Sequence, residues 1–306
     1  MRTEQHSTYA PRMAIAAVLL VAAGANAQTS FSGVGAAGAT SALNAFLAAI
    51  GGANNGTAPP QSAGFRRINW DDVSLDGTDF GGDTTVIAPQ TTVAIPADRF
   101  AARGARLFQV YAVSGDGFAT VNPDMAGQIN AFSPQNSLAA FDGNQIEMSY
   151  VLPGTTANAR TRGFGAVFSD VEIPNTSSIE YFDHGTSLGK YFVPAGSNGE
   201  PEFLGILFAT PMVTDVLITV GTNPLFYFDG ITFSSGGPEN LASNIDLAAV
   251  DDFAFAEPVS EPEQMLSAAF ALLLLLSGGG TGFFVGGAAP VPPAPIEKGN
   301  RSRRQP

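Results

Sequence analysis

The chain has 306 residues, with 14 Lys and Arg against 27 Asp and Glu for a formal net charge of −13, 35 Gly, 21 Pro and no Cys. The missing cysteines exclude a disulfide framework, a thiol nucleophile and any thiolate-held metal, and the acidic balance argues against a nucleic-acid-binding surface, which rests on Lys and Arg neutralising phosphates. One or two domains fit this length, and either can bury a core that packing alone must hold.

Residues 1–27 begin with Arg2 and Arg12, continue through an uncharged apolar run at 13–23, and end in Gly24-Ala25-Asn26-Ala27 before Gln28. A basic flank, a short apolar core and small residues at −3 and −1, Ala25 and Ala27, form the pattern of a Sec-type signal peptide, a helix removed by signal peptidase after Ala27. The run is too short to span a bilayer. Residues 28–64 read as a leader holding one short helix at 41–50, with Ser41 as N-cap and Gly51-Gly52 as the stop, followed by a loop at 54–60.

From residue 65 to 257 the texture changes. Short runs rich in Val, Ile, Phe, Tyr and Thr recur between clusters of Gly, Asn, Asp and Pro, at 107–113, 146–151, 163–171, 178–182, 203–208, 215–220, 225–228 and 250–255. In 215–220 a two-residue period puts Val216, Ile218 and Val220 on one face and Leu217 and Thr219 on the other. Such strands, with turn chemistry between them and no long helical period, predict an all-β fold, a jelly-roll-like β-sandwich. Phe supplies 23 of the aromatic residues, and its placement on these runs points to the core.

The chemistry available to this body is narrow. With the signal removed, His184 is the only histidine, set in Tyr181-Phe182-Asp183-His184-Gly185 as a turn after a strand. A histidine zinc site or a Ser-His-Asp triad lacks partners, so no catalytic residue is assigned. A pair of carboxylates would serve a polysaccharide hydrolase or lyase, but Glu147 stands alone on its strand and nothing singles out a pair. Calcium is the one cofactor the sequence motivates, because hard cations collect carboxylates and loop carbonyls. The candidate donors are Asp170 at a strand end, Asp183 before Gly185, and Asp251 and Asp252, of which strand alternation directs one inward and the other to solvent. The competing reading has these acids capping turns through backbone hydrogen bonds. Trp70, the lone tryptophan, either stacks on a sugar ring or anchors the first strand, and anchoring is the preferred reading.

The last segment, 258–306, opens with Val259-Ser260-Glu261-Pro262-Glu263, is uncharged from 264 to 295, and closes with Lys298, Arg301, Arg303 and Arg304. An uncharged hydrophobic segment with a basic end reads as a membrane stop whose tail stays in the cytoplasm. Its apolar run, 265–276, spans only with the glycine-rich part that follows. The two ends carry net charges of +1 and +3, so residues 28–295 carry −17. That surface favours cations over anionic lipids or anionic polysaccharides.

The tail resembles the PEP-CTERM sorting signal of exopolysaccharide-producing Gram-negative bacteria, with Ser260 where the motif has its first proline. The resemblance implies that Glu261 and Pro262 belong to the sorting motif and that Arg301, Arg303 and Arg304 form its basic end. It further implies processing by an exosortase, transient membrane anchoring, and release to the cell surface or beyond. The body resembles a group of secreted, β-rich bacterial proteins through Arg66-Arg67-Ile68-Asn69-Trp70-Asp71, Val151-Leu-Pro-Gly154, Gly163-Phe-Gly-Ala-Val-Phe-Ser-Asp-Val171, Ile179-Glu-Tyr-Phe-Asp183, Phe203-Leu-Gly-Ile206 and Val250-Asp-Asp-Phe253. This resemblance implies one exported domain and brings no catalytic residue. The expectation is a non-enzymatic surface or exopolysaccharide-matrix protein whose partners are signal peptidase, exosortase and matrix glycan. The alternatives are a lectin-like carbohydrate-binding module and a carboxylate-based polysaccharide hydrolase or lyase.

Overall fold

The computed structural model describes residues 27–79, 85–140, 143–229 and 232–261. Ala25, Pro262, Arg301, Arg303 and Arg304, with the apolar part of the tail, lie outside them. In the first half of the chain the strands are β1 (Gln28–Val34), β2 (Phe65–Ile68), β3 (Thr85–Ala88), β4 (Thr92–Ile95), β5 (Ala105–Leu107), β6 (Tyr111–Ser114), β7 (Ser137–Ala139) and β8 (Gln145–Tyr150). They continue as β9 (Ala159–Arg160), β10 (Gly163–Ser169), β11 (Ser178–Asp183), β12 (Thr186–Phe192), β13 (Pro201–Phe208), β14 (Asp215–Thr219), β15 (Phe226–Phe228), β16 (Phe233–Ser235), β17 (Ala249–Ala256) and β18 (Val259–Ser260). Among the described residues one α-helix, α1 (Gly35–Ile50), joins β1 to the rest. Among the described residues no helix is long and apolar enough to cross a membrane.

Two antiparallel sheets face each other. The larger runs β1-β13-β10-β17-β7-β6-β4-β3 with β2 also on β17, and the smaller runs β12-β11-β14-β8-β5. The core between them is built by alternate residues: Ile146, Met148 and Tyr150 of β8, Val216 and Ile218 of β14, and Ile179 and Tyr181 of β11 meet Phe164, Ala166 and Phe168 of β10 and Leu204, Ile206 and Phe208 of β13. The all-β sandwich read from the sequence is the fold.

The two sheets differ in what covers their outer faces, and their burial patterns report it. β10 and β17 are buried at every position, because α1 and a layer of loops pack on the outside of the large sheet. Strands buried on both faces lose the alternation that one solvent face imposes. β8 and β14 keep it, since the smaller sheet has an open outer face.

The segment read as a leader is built into this structure. β1 pairs with β13 along its whole length, from Gln28 opposite Phe208 to Val34 opposite Glu202. The helix starts at Gly35 rather than residue 41, and Ser41 lies within it instead of capping it. Its alanine-rich first turns favour helix without a side-chain cap. Ala39, Ala42, Leu43, Phe46 and Ile50 form its buried stripe at the i, i+3, i+4, i+7 spacing of an amphipathic helix. The β1 to α1 turn is tight enough that a Cβ on Gly33 would lie 2.2 Å from the Gly38 carbonyl oxygen.

Two further runs differ from their sequence reading. Residues 107–113 hold two strands, because the chain leaves the smaller sheet after β5 and enters the larger one at β6. Both ends are apolar since both line the same core, so hydrophobicity alone reads as one strand. The polar strand β12 is joined to β11 by a two-residue hairpin at His184 and Gly185, with φ of 48° and 78°, the left-handed pair of a type I′ turn that matches strand twist.

Candidate functional site

The motifs of the body account for its internal ties. Arg66 on β2 is fully buried and forks onto Glu257, Nε to Oε2 at 2.8 Å and Nη2 to Oε1 at 2.7 Å. Its remaining donors meet the carbonyls of Gly56, Ala58 and Pro59, while Glu257 also accepts from Asn55 and Gln61. Arg67 pairs with Asp252, and Asp71 accepts from the amides of Gln135 and Asn136. The motif at 66–71 and the one at 250–253 are thus partners across β2, β17 and the neighbouring loop.

Trp70 belongs to the same construction. Its side chain is fully buried, edge-on to Phe100 and Phe253 at ring separations of 5.2 and 5.0 Å, and its Nε1–H donates to the Asp251 carbonyl at 2.6 Å. It anchors the strand, and no face of the indole is open to a sugar.

Asp251 and Asp252 do not divide between core and solvent as alternation requires. A register shift in the β10 and β17 ladder sets Ala166 opposite Phe253 and Phe168 opposite Val250. β17 therefore carries one extra residue, a bulge that breaks the two-residue period, and both carboxylates are buried. Asp251 accepts from the Phe132 and Ser133 amides and the Ser133 hydroxyl. Burial and the Asp252 charge nevertheless push its carboxyl up to about 7. Both aspartates are committed to structural ties, and neither meets Asp170 or Asp183.

Asp183 sits in the β11 to β12 hairpin, where its carboxylate faces the His184 Nδ1 at 2.7 Å. The other ring nitrogen lies 3.2 Å from Glu261, the last described residue. These acids raise the exposed imidazole's pKa, the Asp183 hydrogen bond most strongly. The four aspartates proposed as calcium donors thus lie at three separate places.

Only Asp170 enters an acidic cluster. It follows β10 in the left-handed region, φ 71°, a strained setting for a residue with a Cβ. Its oxygens, with those of Glu172 and Glu239, offer three atoms within 4.8 Å of one another. Glu202 on β13 shares the face that carries Leu204 and Ile206 and is fully buried at the end of that stripe. Backbone bonds hold the segments: Gly199 N–H donates to Asp170 Oδ1 at 2.6 Å, and Leu247 N–H to Glu239 Oε1 at 3.2 Å. Asp246 accepts from the Glu172 amide and the Thr176 hydroxyl. Burial, reinforced by the neighbouring carboxyls, pushes Glu172 up to about 10, Glu202 to about 9 and Glu239 to about 7, and burial raises Asp170 as well. Glu172, Glu202 and the pair Glu239 and Asp246 come from three chain segments far apart in sequence. The one local sign was Asp170 and Glu172 flanking a single valine at a strand end.

The second feature is the open face of the smaller sheet. Register places Arg106, Ser149, Asp215 and Phe182 in one cross-strand row, and Glu147, Leu217, Glu180 and Lys190 in the next. Phe108 follows β5 and is 58% exposed. Two hollows share Phe108 and Asp215: one of about 420 Å³ also reaches Arg106, Asn158, His184 and Glu261, and one of about 200 Å³ also reaches Glu147, Phe182 and Leu217. Four inter-strand spacings make this face about 19 Å wide.

Comparison with protein-family models, curated proteins and solved structures finds no match for this chain.

Proposed function

We propose that this chain is an exported, non-enzymatic protein of the cell surface or exopolysaccharide matrix that holds a neutral glycan on the open face of its smaller sheet. The observation that carries the reading is the pair of hollows meeting at Phe108 and Asp215. Their combined size suits a small-ligand cleft, and their lining combines an exposed aromatic ring with separated donors and acceptors. A pyranose offers that surface its C–H face for the ring and its hydroxyls for Asp215, Glu147, Arg106 and Asn158. The acidic lining and the −17 body oppose an anionic glycan.

Export and delivery rest on the signal pattern ending at Ala27 and the PEP-CTERM resemblance that includes Glu261 and Pro262. A glycan array with the purified exported protein tests the proposal. Binding to neutral oligosaccharides is expected, weakened about tenfold by Phe108→Ala, the equivalent of one aromatic contact, with the melting temperature unchanged. A blank array, or a Phe108→Ala variant that binds as the parent does, would overturn it.

A further inference from the structure

We propose that Asp170, Glu172, Glu202 and Glu239 form a binding site for one Ca²⁺ ion at the end of the sandwich core. This inference is independent of the glycan reading. Three of the four carboxylates already bring oxygens within 4.8 Å of one another. Oxygens bound to a common calcium at about 2.3–2.6 Å lie no more than ~5 Å apart, so the spacing matches a shared ion.

A second observation points at a ligand. Asp170 and Glu202 are fully buried, yet Asp170 Oδ2 and both oxygens of Glu172 and Glu202 lack a well-formed hydrogen bond, their polar surroundings being the Val171 backbone and one another's carboxyls. Asp170 Oδ2 is left over on a side chain whose other oxygen is fixed by the Gly199 amide. Buried carboxylate oxygens without donors are costly unless a cation satisfies them. Among the described residues none of these four acids takes part in an ion pair with Lys, Arg or His.

The chemistry of the donor set selects the ion. With oxygen donors only and no nitrogen or sulfur, the site suits a hard cation. Carboxylates drawn from the segment after β10, from β13 and from the loop before β17 suit calcium, which takes six to eight oxygens in flexible geometry, better than magnesium, which demands a near-ideal octahedron.

The test uses the exported protein stripped with a chelator, titrated calorimetrically with CaCl₂ and separately with MgCl₂, and melted with and without calcium. One site is expected, with a dissociation constant on the order of 10⁻⁴–10⁻³ M, typical of extracellular modules. Saturation raises the melting temperature by about 3–10 °C, and magnesium binds at least tenfold more weakly. Glu172→Gln is expected to weaken calcium binding at least tenfold while leaving the chelated protein folded, because a neutral amide fills the same space and gives the ion no anionic oxygen. Glu239→Gln, on the half-buried loop side, acts in the same direction and guards against a folding failure at the first position. Superimposable melts in chelator and calcium, no binding heat, or parental affinity in both variants would overturn the site. Equal affinity for magnesium would overturn its assignment to calcium.

Discussion

Replacing Trp70 separates the anchoring role from sugar stacking. In Trp70→Ala the fully buried indole is lost from between Phe100 and Phe253, a truncation that costs about 3–5 kcal/mol. The Asp251 carbonyl also loses its 2.6 Å donor, and an unpaired buried acceptor adds roughly 1–3 kcal/mol. The total, about 4–8 kcal/mol, is comparable to the whole stability of an ordinary domain, roughly 5–15 kcal/mol, so this variant is expected to be largely unfolded at 37 °C. Trp70→Phe keeps an aromatic ring in place and removes the N–H, at about 1–3 kcal/mol. Both are measured by urea unfolding followed by far-UV circular dichroism, since the only tryptophan is removed. A Trp70→Phe protein as stable as the parent would refute the anchoring argument. So would one that keeps its stability and loses glycan binding.

Three further expectations follow from the same structure. Arg66→Met strands Glu257 without its buried partner and is expected to cost about 3–5 kcal/mol in urea unfolding, with part recovered in Arg66→Met/Glu257→Leu; a double variant no better than the single would contradict the pairing. Gly33→Ala places a Cβ 2.2 Å from the Gly38 oxygen, and the strain is expected to cost roughly 1–3 kcal/mol; an unshifted melt would show that the β1 to α1 turn is looser than described. In chelator, Glu172 and Glu202 titrate in the folded chain at about 10 and about 9, above the ordinary glutamate value, so the folded state holds protons that the unfolded state releases. That contribution to stability is full below roughly pH 4.5 and is lost as pH rises toward and through roughly 9–10. The urea midpoint of the metal-free protein is therefore expected to fall between roughly pH 5 and roughly pH 9, and a rising midpoint would contradict the cluster.

Local pattern carried most of the sandwich. The period that placed Val216, Ile218 and Val220 on one face is the inner face of β14 and the residue after it, all buried. Where one run served two sheets, as at 107–113, hydrophobicity could not show the crossing between them. β1 was illegible because Gln28–Val34 is an edge strand of mostly exposed residues, and its pairing with β13 is a long-range event. The bulge at Asp251 and Asp252 escaped for a related reason: one extra residue against β10 changes which face a side chain takes, and only the partner strand reveals the mismatch. The site was legible in proportion to its locality. Asp170 stood out at a strand end, whereas Glu202 and Glu239 acquire meaning only when the β13 strand and the loop before β17 fold against it.

The open face around Phe108, and not the buried Trp70, is the surface proposed to meet glycan. Its most direct test is co-sedimentation of the purified protein with the exopolysaccharide of the producing cell, comparing the parent, Phe108→Ala and Trp70→Phe at a temperature where all three are folded. The parent and Trp70→Phe are expected in the pellet, with Phe108→Ala left in the supernatant. All three in the supernatant, or Phe108→Ala pelleting as fully as the parent, would contradict the account.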